Sequence, residues 1–153
     1  MKTIVLKFGG TSVGSIQRIK EVAKIIKSYS KKYKVIVLSS AMSGTTNKLI
    51  SMSRKISDAF PDYEYDTLVS AGEQISCSLL AGQLISNGIK SRSWMAWQIP
   101  ILTEGKHKYA RIKYINRSKV LKFIKSGGIP IIAGFQGVDK KLNITTIVRG
   151  GSD

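Results

Sequence analysis

The sequence predicts an α/β protein in which a mostly parallel sheet is sandwiched between helices. Short apolar runs rich in β-forming residues alternate with longer segments whose apolar residues recur at helical spacing. Polar segments that contain glycine follow several of these runs, as they do at the carboxyl ends of strands in such sheets. The alternation of strands with helices favours a parallel sheet that helices cover on both faces.

The first half of the chain predicts two buried strands and three helices. The strand runs are short and apolar, whereas the helical segments repeat apolar residues every three or four positions. Pro61 interrupts the helical pattern, and Asn87-Gly88 closes it with residues that tolerate positive φ. The predicted elements are, in order, a strand over 3–8, a helix after the N-cap Ser15, a strand over 34–38, and helices over 47–56 and 65–86.

The second half predicts two further strands, one short helix and a closing hairpin. The pattern is indistinct through Pro100 and Gly105, so no element is predicted there. Residues 150–153 have the form of a glycine turn that leads to a helix N-cap, and we expect a helix to follow in a longer protein. The predicted elements are a strand over 89–94, a helix over 118–125, a strand over 129–133, a turn over 134–137 and a hairpin over 139–148.

Composition restricts the class of protein. The 153 residues are 42% hydrophobic, which suits one globular domain over 1–153. No apolar run reaches the roughly 18–20 residues that a membrane span needs, so no membrane partner is expected. The single cysteine, Cys77, has no partner for a disulfide, which predicts a reducing compartment, the cytoplasm.

The net charge of +16 has three interpretations. Lysine and arginine number 25 against 9 acidic residues. A solvated basic surface is favoured over binding of anionic metabolites, and nucleic-acid binding is the least favoured. The chain has no base-stacking motif, zinc finger or helix-turn-helix signature.

A glycine-rich turn follows the first strand. Gly9 and Gly14 have the spacing that opens a P-loop, but Ser15 stands where that motif requires lysine. Lys7 lies instead at the end of the strand, in a position to reach a phosphate from the strand side, although the pattern alone also fits an ordinary strand-to-helix turn. Such segments also follow the second and fourth strands, and another is at 150–153, so all four are expected to converge at one edge.

Five sequence blocks, in order along the whole chain, resemble the signatures of aspartokinases, within the amino acid kinase family. The first is Lys-Phe-Gly-Gly-Thr-Ser-Val, which related kinases acting on acetylglutamate, glutamate or uridylate do not share in full. The blocks lie at 7–13, 39–42, 70–74, 133–137 and 149–153.

The resemblance implies an activity and its substrates. An aspartokinase transfers the γ-phosphate of ATP, bound with Mg²⁺, to the side-chain carboxylate of L-aspartate. The product, 4-phospho-L-aspartate, enters the synthesis of lysine, threonine and methionine. Phosphoryl transfer depends mainly on positioning and charge neutralisation, which suits the residue types in these blocks.

The resemblance also implies residue roles. Lys7 and Asp153 are the expected catalytic pair, in which Asp153 orders the lysine and the magnesium-bound phosphates. Glu73 is expected to recognise the ammonium group of aspartate, and Arg149 its carboxylate. No residue is expected to bind the metal directly. The remaining expected contacts are Phe8, Gly9, Gly10, Ser39, Arg149 and Ser152 with ATP or phosphate, and Thr45 and Asp153 with aspartate; for Thr45 a helix-cap role stays open.

Several conspicuous residues have simpler interpretations. His107 has no His or Cys companion and is not expected to bind metal. Cys77, Trp94 and Trp97 are expected to pack, and Asp62, Glu64 and Asp66 to form a solvated loop or helix start. Ala96, Pro100 and Val148 replace residues that are usually glycine in the family, which changes the available φ angles.

We expect the chain to be the N-terminal, amino-acid-binding part of an amino acid kinase domain. The part that binds adenine and ribose and the regulatory domains would then be absent, and the sheet incomplete at its C-terminal side. Two hypotheses on activity stay open: a fragment that retains the aspartate and phosphate residues, or an inactive fragment that needs a complementary chain. A basic nucleic-acid-binding module is the alternative of another class. The full-length enzyme is expected to allow homo-oligomers.

Overall fold

The computed structural model describes residues 1–148 and 150–151, which form two four-stranded sheets and four helices. Sheet A has the strand order β1-β2-β6-β3 and sheet B the order β5-β4-β7-β8. The elements are β1 (Thr3–Phe8), α1 (Ile16–Ser30), β2 (Lys34–Ser39), α2 (Thr45–Ile56), α3 (Asp62–Ser86), β3 (Ser91–Trp94), β4 (Ile101–Glu104), β5 (Arg111–Ile115), α4 (Ser118–Lys125), β6 (Ile129–Ala133), β7 (Gln136–Val138) and β8 (Ile144–Thr146).

Sheet A is entirely parallel and confirms the predicted α/β class. On one face, α1 and α3 pack against it through a fully buried apolar cluster that includes Val37, Leu80 and Ile131. On the other face, α4 packs over β2 and β6, where Val120 and Ile124 are buried. The sheet is therefore covered on both faces only at its centre.

Strand β1 is half exposed, so the prediction of a buried strand there is wrong. It pairs only with β2 among the described strands, and alternate residues face solvent, with Val5 62% exposed. The apolar run resembles that of a central strand, but α4 does not reach the face of β1 that carries Val5.

The helix ends follow local chemistry. Ser15 caps α1 as predicted, because its Oγ accepts a hydrogen bond from the backbone N–H of Arg18 at 3.1 Å. Gly88, with φ of 75°, closes the turn after α3 as predicted. Helix α3 begins directly after Pro61 rather than at 65, because proline suits a helix start and acidic residues stabilise the first turn.

Sheet B was not predicted as a sheet. Two antiparallel hairpins, β4–β5 and β7–β8, join through a parallel pairing of β4 with β7. The predicted hairpin is present but begins earlier, since Gln136, placed in a turn by the sequence, starts β7. Strand β5, in the region that the sequence left unassigned, is exposed throughout.

Within the described residues, no helix is both long and apolar enough to cross a membrane.

Candidate functional site

Three loops meet at the carboxyl end of sheet A. They follow β1, β2 and β6, and backbone hydrogen bonds tie them together. Ser43 N–H donates to the carbonyl of Gly10, and Gly134 N–H donates to that of Ser39, each at 3.0 Å. A Cβ atom at Gly10 would lie 3.0 Å from the Ala41 carbonyl oxygen, so glycine permits this close approach.

A cavity of about 360 Å³ opens at this edge. Three residues with predicted roles line it: Lys7, Gly10 and Glu73. Gly150, from the fourth predicted segment, lines it as well. The further lining residues are Thr11, Ser40, Ala41, Met42, Ser43, Gly44, Thr46, Asn47 and Phe135.

Glu73 is a buried acid that helix α3 brings to the cavity. Glu73 is only 3% exposed, and its Oε1 accepts a hydrogen bond from Ala41 N–H at 3.1 Å. The neighbouring Gly72 allows α3 to approach the loop, because a Cβ there would lie 2.8 Å from the Cβ of Ala41. A carboxylate in this position favours a cationic group in the cavity.

A second contact fixes the same loop to α3. Ser76 Oγ donates to the Ser40 carbonyl at 2.6 Å, one helical turn beyond Glu73. Cys77 follows it and is fully buried, as predicted for a core residue. Burial, together with the nearby charge of Glu73, raises the pKa of the Cys77 thiol to about 12, so this cysteine is protonated at neutral pH.

The other described residues with predicted roles adjoin the cavity without lining it. Phe8 packs against the core, and Ser39 is fully buried with Oγ donating to the Ser40 carbonyl at 3.2 Å. The Gly9 carbonyl accepts the N–H of Ser12 at 3.0 Å. Thr45 is the first residue of α2, after Gly44, and has its methyl group close to Gly72. Their roles toward ligands stay predictions.

Three residues with predicted roles, Arg149, Ser152 and Asp153, lie outside the described residues. Their roles also stay predictions, and Gly150 is the described neighbour that reaches the cavity.

Sequence reasoning missed several cavity residues on the loops and on α2. Thr11 and Ser43 are short polar residues just after strands β1 and β2, and this position was the available signal, whereas Asn47 lies in the first turn of α2. Phe135 lies in the segment 134–137 that the sequence expected at this edge, but its positive φ of 65°, in the turn between β6 and β7, was not predicted. A bulky residue in this conformation is unusual and depends on the surrounding contacts.

A buried carboxylate, Asp66, organises the side of α3 that faces sheet B. Its oxygens accept the Thr146 hydroxyl at 2.6 Å and the Lys108 N–H at 3.1 Å. His107 Nδ1 lies 2.6 Å from Asp66 Oδ2. The predicted solvated position is therefore wrong for Asp66, which is fully buried, but correct for Asp62 and Glu64, which are exposed.

Lys108 completes the link between the β4–β5 hairpin and α3. It adopts a positive φ of 67°, and its Nζ lies 2.6 Å from Asp62 Oδ1. The hydrogen bond to Asp62 holds the pKa of Lys108 above its ordinary value. Periodicity could not reveal these contacts, which join residues about 40 positions apart in sequence, His107 and Asp66 among them.

The residues that replace family glycines are not strained. A positive φ occurs at none of the three described positions Ala96, Pro100 and Val148. Ala96 is fully buried, and its N–H donates to Gln136 Oε1 at 3.0 Å. The described backbone therefore needs no glycine at these three positions, and the effect of the replacements on activity stays a prediction.

Within residues 1–148 and 150–151, no group of three or more His, Cys, Asp or Glu side chains is placed to hold a metal ion. Lys7 and the backbone around Gly10 provide positive charge and N–H groups, which suit phosphate oxygens.

Comparisons with known proteins agree on one family. The model of the amino acid kinase family matches residues 2–153. The chain is 46% identical to an aspartate kinase from Stutzerimonas stutzeri, over 100% of this chain but only 37% of that protein. It superposes on Escherichia coli aspartokinase III in complex with aspartate and ADP with a TM-score of 0.87 at 22% identity, covering 99% of this chain and 44% of that one. An aspartate kinase structure from Synechocystis gives 0.80 at 36% identity, with 98% and 25% covered.

Proposed function

Since the chain belongs to the amino acid kinase family, we propose that residues 1–153 form the amino-acid-binding part of an aspartate kinase. The proposed reaction transfers the γ-phosphate of MgATP to the side-chain carboxylate of L-aspartate, giving 4-phospho-L-aspartate and ADP. One observation supports this most directly: the buried carboxylate of Glu73 and the lysine Lys7 line the same cavity.

Glu73 gives the cavity a preference for an amino acid. The chain is strongly basic, and a cavity in such a protein attracts dicarboxylates with or without an amino group. A buried carboxylate favours the ligand that carries an α-ammonium group and disfavours plain dicarboxylic acids. The hydrogen bond from Ala41 N–H to Oε1 fixes the position of this carboxylate.

Lys7 and the loop after β1 provide the groups that phosphate requires. The lysine carries positive charge at the end of β1, and Gly10 brings backbone close to the cavity. Mg²⁺, supplied with ATP, neutralises phosphate charge in reactions of this class. We propose that Asp153 orders Lys7 and the magnesium-bound phosphates, and that Arg149 and Ser152 contact aspartate or phosphate.

The chain spans 37% of the length of its Stutzerimonas relative. We therefore propose that the residues that bind adenine and ribose, and the regulatory domains, lie in the part of the relatives that this chain does not cover. Activity of the chain alone is the open part of the proposal. The proposal also includes a reducing, cytoplasmic location and self-association of the longer protein.

Binding of aspartate tests the role of Glu73 without requiring turnover. Titration calorimetry on the 153-residue chain should detect L-aspartate, and Glu73→Gln should weaken that binding about tenfold or more. Succinate, which lacks the ammonium group, should bind more weakly and respond little to the substitution. Glu64→Gln, an exposed acid on the same helix, is the matched control. Equal affinity of the Glu73→Gln and parent chains for aspartate would contradict the assignment.

An ADP-release assay with and without L-aspartate tests the reaction. If the chain turns over, Lys7→Ala should lower kcat far more than the affinity for aspartate, because its interaction forms mainly in the transition state. Glu73→Ala should instead raise the KM for aspartate. Small and equal effects of both substitutions would reject these roles.

A further inference from the structure

A basic cleft lies over β3, the edge strand of sheet A opposite to β1. It occupies about 300 Å³ between β3 and α4. Its walls combine three cationic side chains with two aromatic rings and a hydroxyl group. The lining residues are Arg92, Trp94, Lys119, Lys122, Phe123 and Ser126.

The aromatic floor of the cleft is ordered by contacts of its own. The rings of Trp94 and Phe123 meet edge to face, with centroids 5.8 Å apart. Arg92 lies over Trp94 at 4.7 Å, and Lys90 lies over Phe123 at 5.7 Å. Lys90 Nζ also donates to Ser126 Oγ at 2.9 Å. These contacts hold two cations at the rim of the cleft.

The positive charge here is not compensated by neighbouring acids. No acidic residue occurs in the sequence between Glu73 and Glu104, or between Glu104 and Asp139. Lys90, Arg92, Lys119 and Lys122 are all exposed, and none of them joins an ion pair within the described part of the chain. Four cations around one cleft repel one another, and an anionic partner relieves that repulsion.

Two further features point to a ligand. The Nε1 atom of Trp94 is buried, and no acceptor for it exists among the described residues. A buried donor without an acceptor is unfavourable, so an acceptor bound next to this ring would stabilise it. In addition, β3 pairs only with β6 in the described chain, so its outer edge has free backbone groups.

Charge on an edge strand also has a simpler use, because it prevents strands of separate molecules from pairing. That use accounts for Lys90 and Arg92. It does not account for Lys119 and Lys122, which come from α4 and converge on the same cleft.

We propose that this cleft binds an acidic, extended peptide segment of a partner protein. Backbone groups of the peptide pair with the outer edge of β3, and its carboxylates contact Arg92, Lys119 and Lys122. A second copy of the chain fits poorly because each copy carries +16. Nucleic acid fits less well than a peptide, since Arg92 and Lys90 already lie over the rings on which bases would stack.

Fluorescence anisotropy with a labelled peptide tests the proposal on the 153-residue chain. The probe has about ten residues with glutamate and valine alternating, so that its carboxylates share one face of a strand. The double variant Lys119→Glu/Lys122→Glu should weaken binding about tenfold or more. Lys20→Glu/Lys24→Glu, which makes the same charge change on exposed positions of α1, should weaken it no more than about twofold.

Competition separates the possible ligands. A peptide with lysine in place of glutamate should not bind, and an oligothymidine of similar length or inorganic phosphate should displace the acidic probe poorly. Amide exchange in β3 should slow when the probe binds. Equal loss of binding in the two double variants would overturn the proposal in favour of general charge attraction. Tighter, cleft-dependent binding of the oligothymidine would overturn it in favour of nucleic acid.

Discussion

Sheets A and B are stabilised by different kinds of interaction, although the same helix packs against both. The C-terminal half of α3 contributes Leu80 and Leu84 to the apolar cluster under sheet A. The N-terminal half contributes Asp66, whose carboxylate binds a hydroxyl, a backbone amide and His107 on the side of sheet B. Apolar packing tolerates small shifts, whereas a buried carboxylate requires each of its donors in place.

The candidate site lies where these two regions meet on α3. Glu73 is one residue beyond Gly72, between the polar contact at Asp66 and the apolar contact at Leu80. Gln136 adds another link, since its Nε2 donates to the Ser70 carbonyl at 3.2 Å and its Oε1 accepts the N–H of Ala96. The position of Glu73 therefore depends on both kinds of stabilisation.

The largest expected effect comes from breaking the polar region. Asp66→Ala leaves Thr146 and the Lys108 amide without their acceptor and should lower the free energy of unfolding by about 3–5 kcal/mol. Urea denaturation measures that loss of stability, and amide exchange shows which strands lose protection. Protection should decrease most in β7 and β8, while β2 and β6 retain more of theirs.

Leu80→Ala is the matched change in the apolar region of the same helix, with an expected loss of about 2–5 kcal/mol. Its loss of exchange protection should centre on sheet A. If both variants show the same exchange pattern, the two sheets form a single cooperative unit and the comparison between them fails.

The next effect concerns the close approach of α3 to the loop after β2. Gly72→Ala places a methyl group 2.8 Å from Ala41 Cβ and should destabilise the chain by about 1–3 kcal/mol. The same shift should weaken aspartate binding, because it moves Ala41 N–H away from Glu73. Thermal unfolding and titration calorimetry measure the two consequences.

Gly82 provides the control for that substitution. It lies on the same helix, and a Cβ there has no neighbour within 4 Å. Gly82→Ala should therefore stabilise the chain by up to about 1 kcal/mol, through the lower entropy of the unfolded state, and leave aspartate binding unchanged. Equal behaviour of the two variants would mean that the approach at Gly72 is not tight.

The last prediction concerns the interior of sheet B. The hydroxyls of Thr103 and Thr145 lie 2.6 Å apart in its buried interior. Thr103→Val alone should cost about 1–3 kcal/mol, because it leaves the other hydroxyl without its partner. The double change to valine should cost less than the sum of the single changes. Additive losses in urea denaturation would indicate that this pair contributes nothing beyond packing.

The sequence by itself determined the elements that depend on neighbours close in the chain. The cap at Ser15, the turn at Gly88 and the strands of sheet A follow from local chemistry and short-range periodicity, and the motifs identified the family. The family resemblance also placed Lys7 and Glu73 among the site residues, and both line one cavity. Their catalytic and binding roles stay predictions.

Tertiary structure alone decided the features that depend on distant residues. The exposure of β1, the burial of Asp66 and the assembly of sheet B have no local signature. Each depends on which elements pack together, and contacts such as Asp66 with Thr146 join residues 80 positions apart. Whether a charged or apolar residue is buried is set by those partners, because burial is favourable only where the fold supplies them.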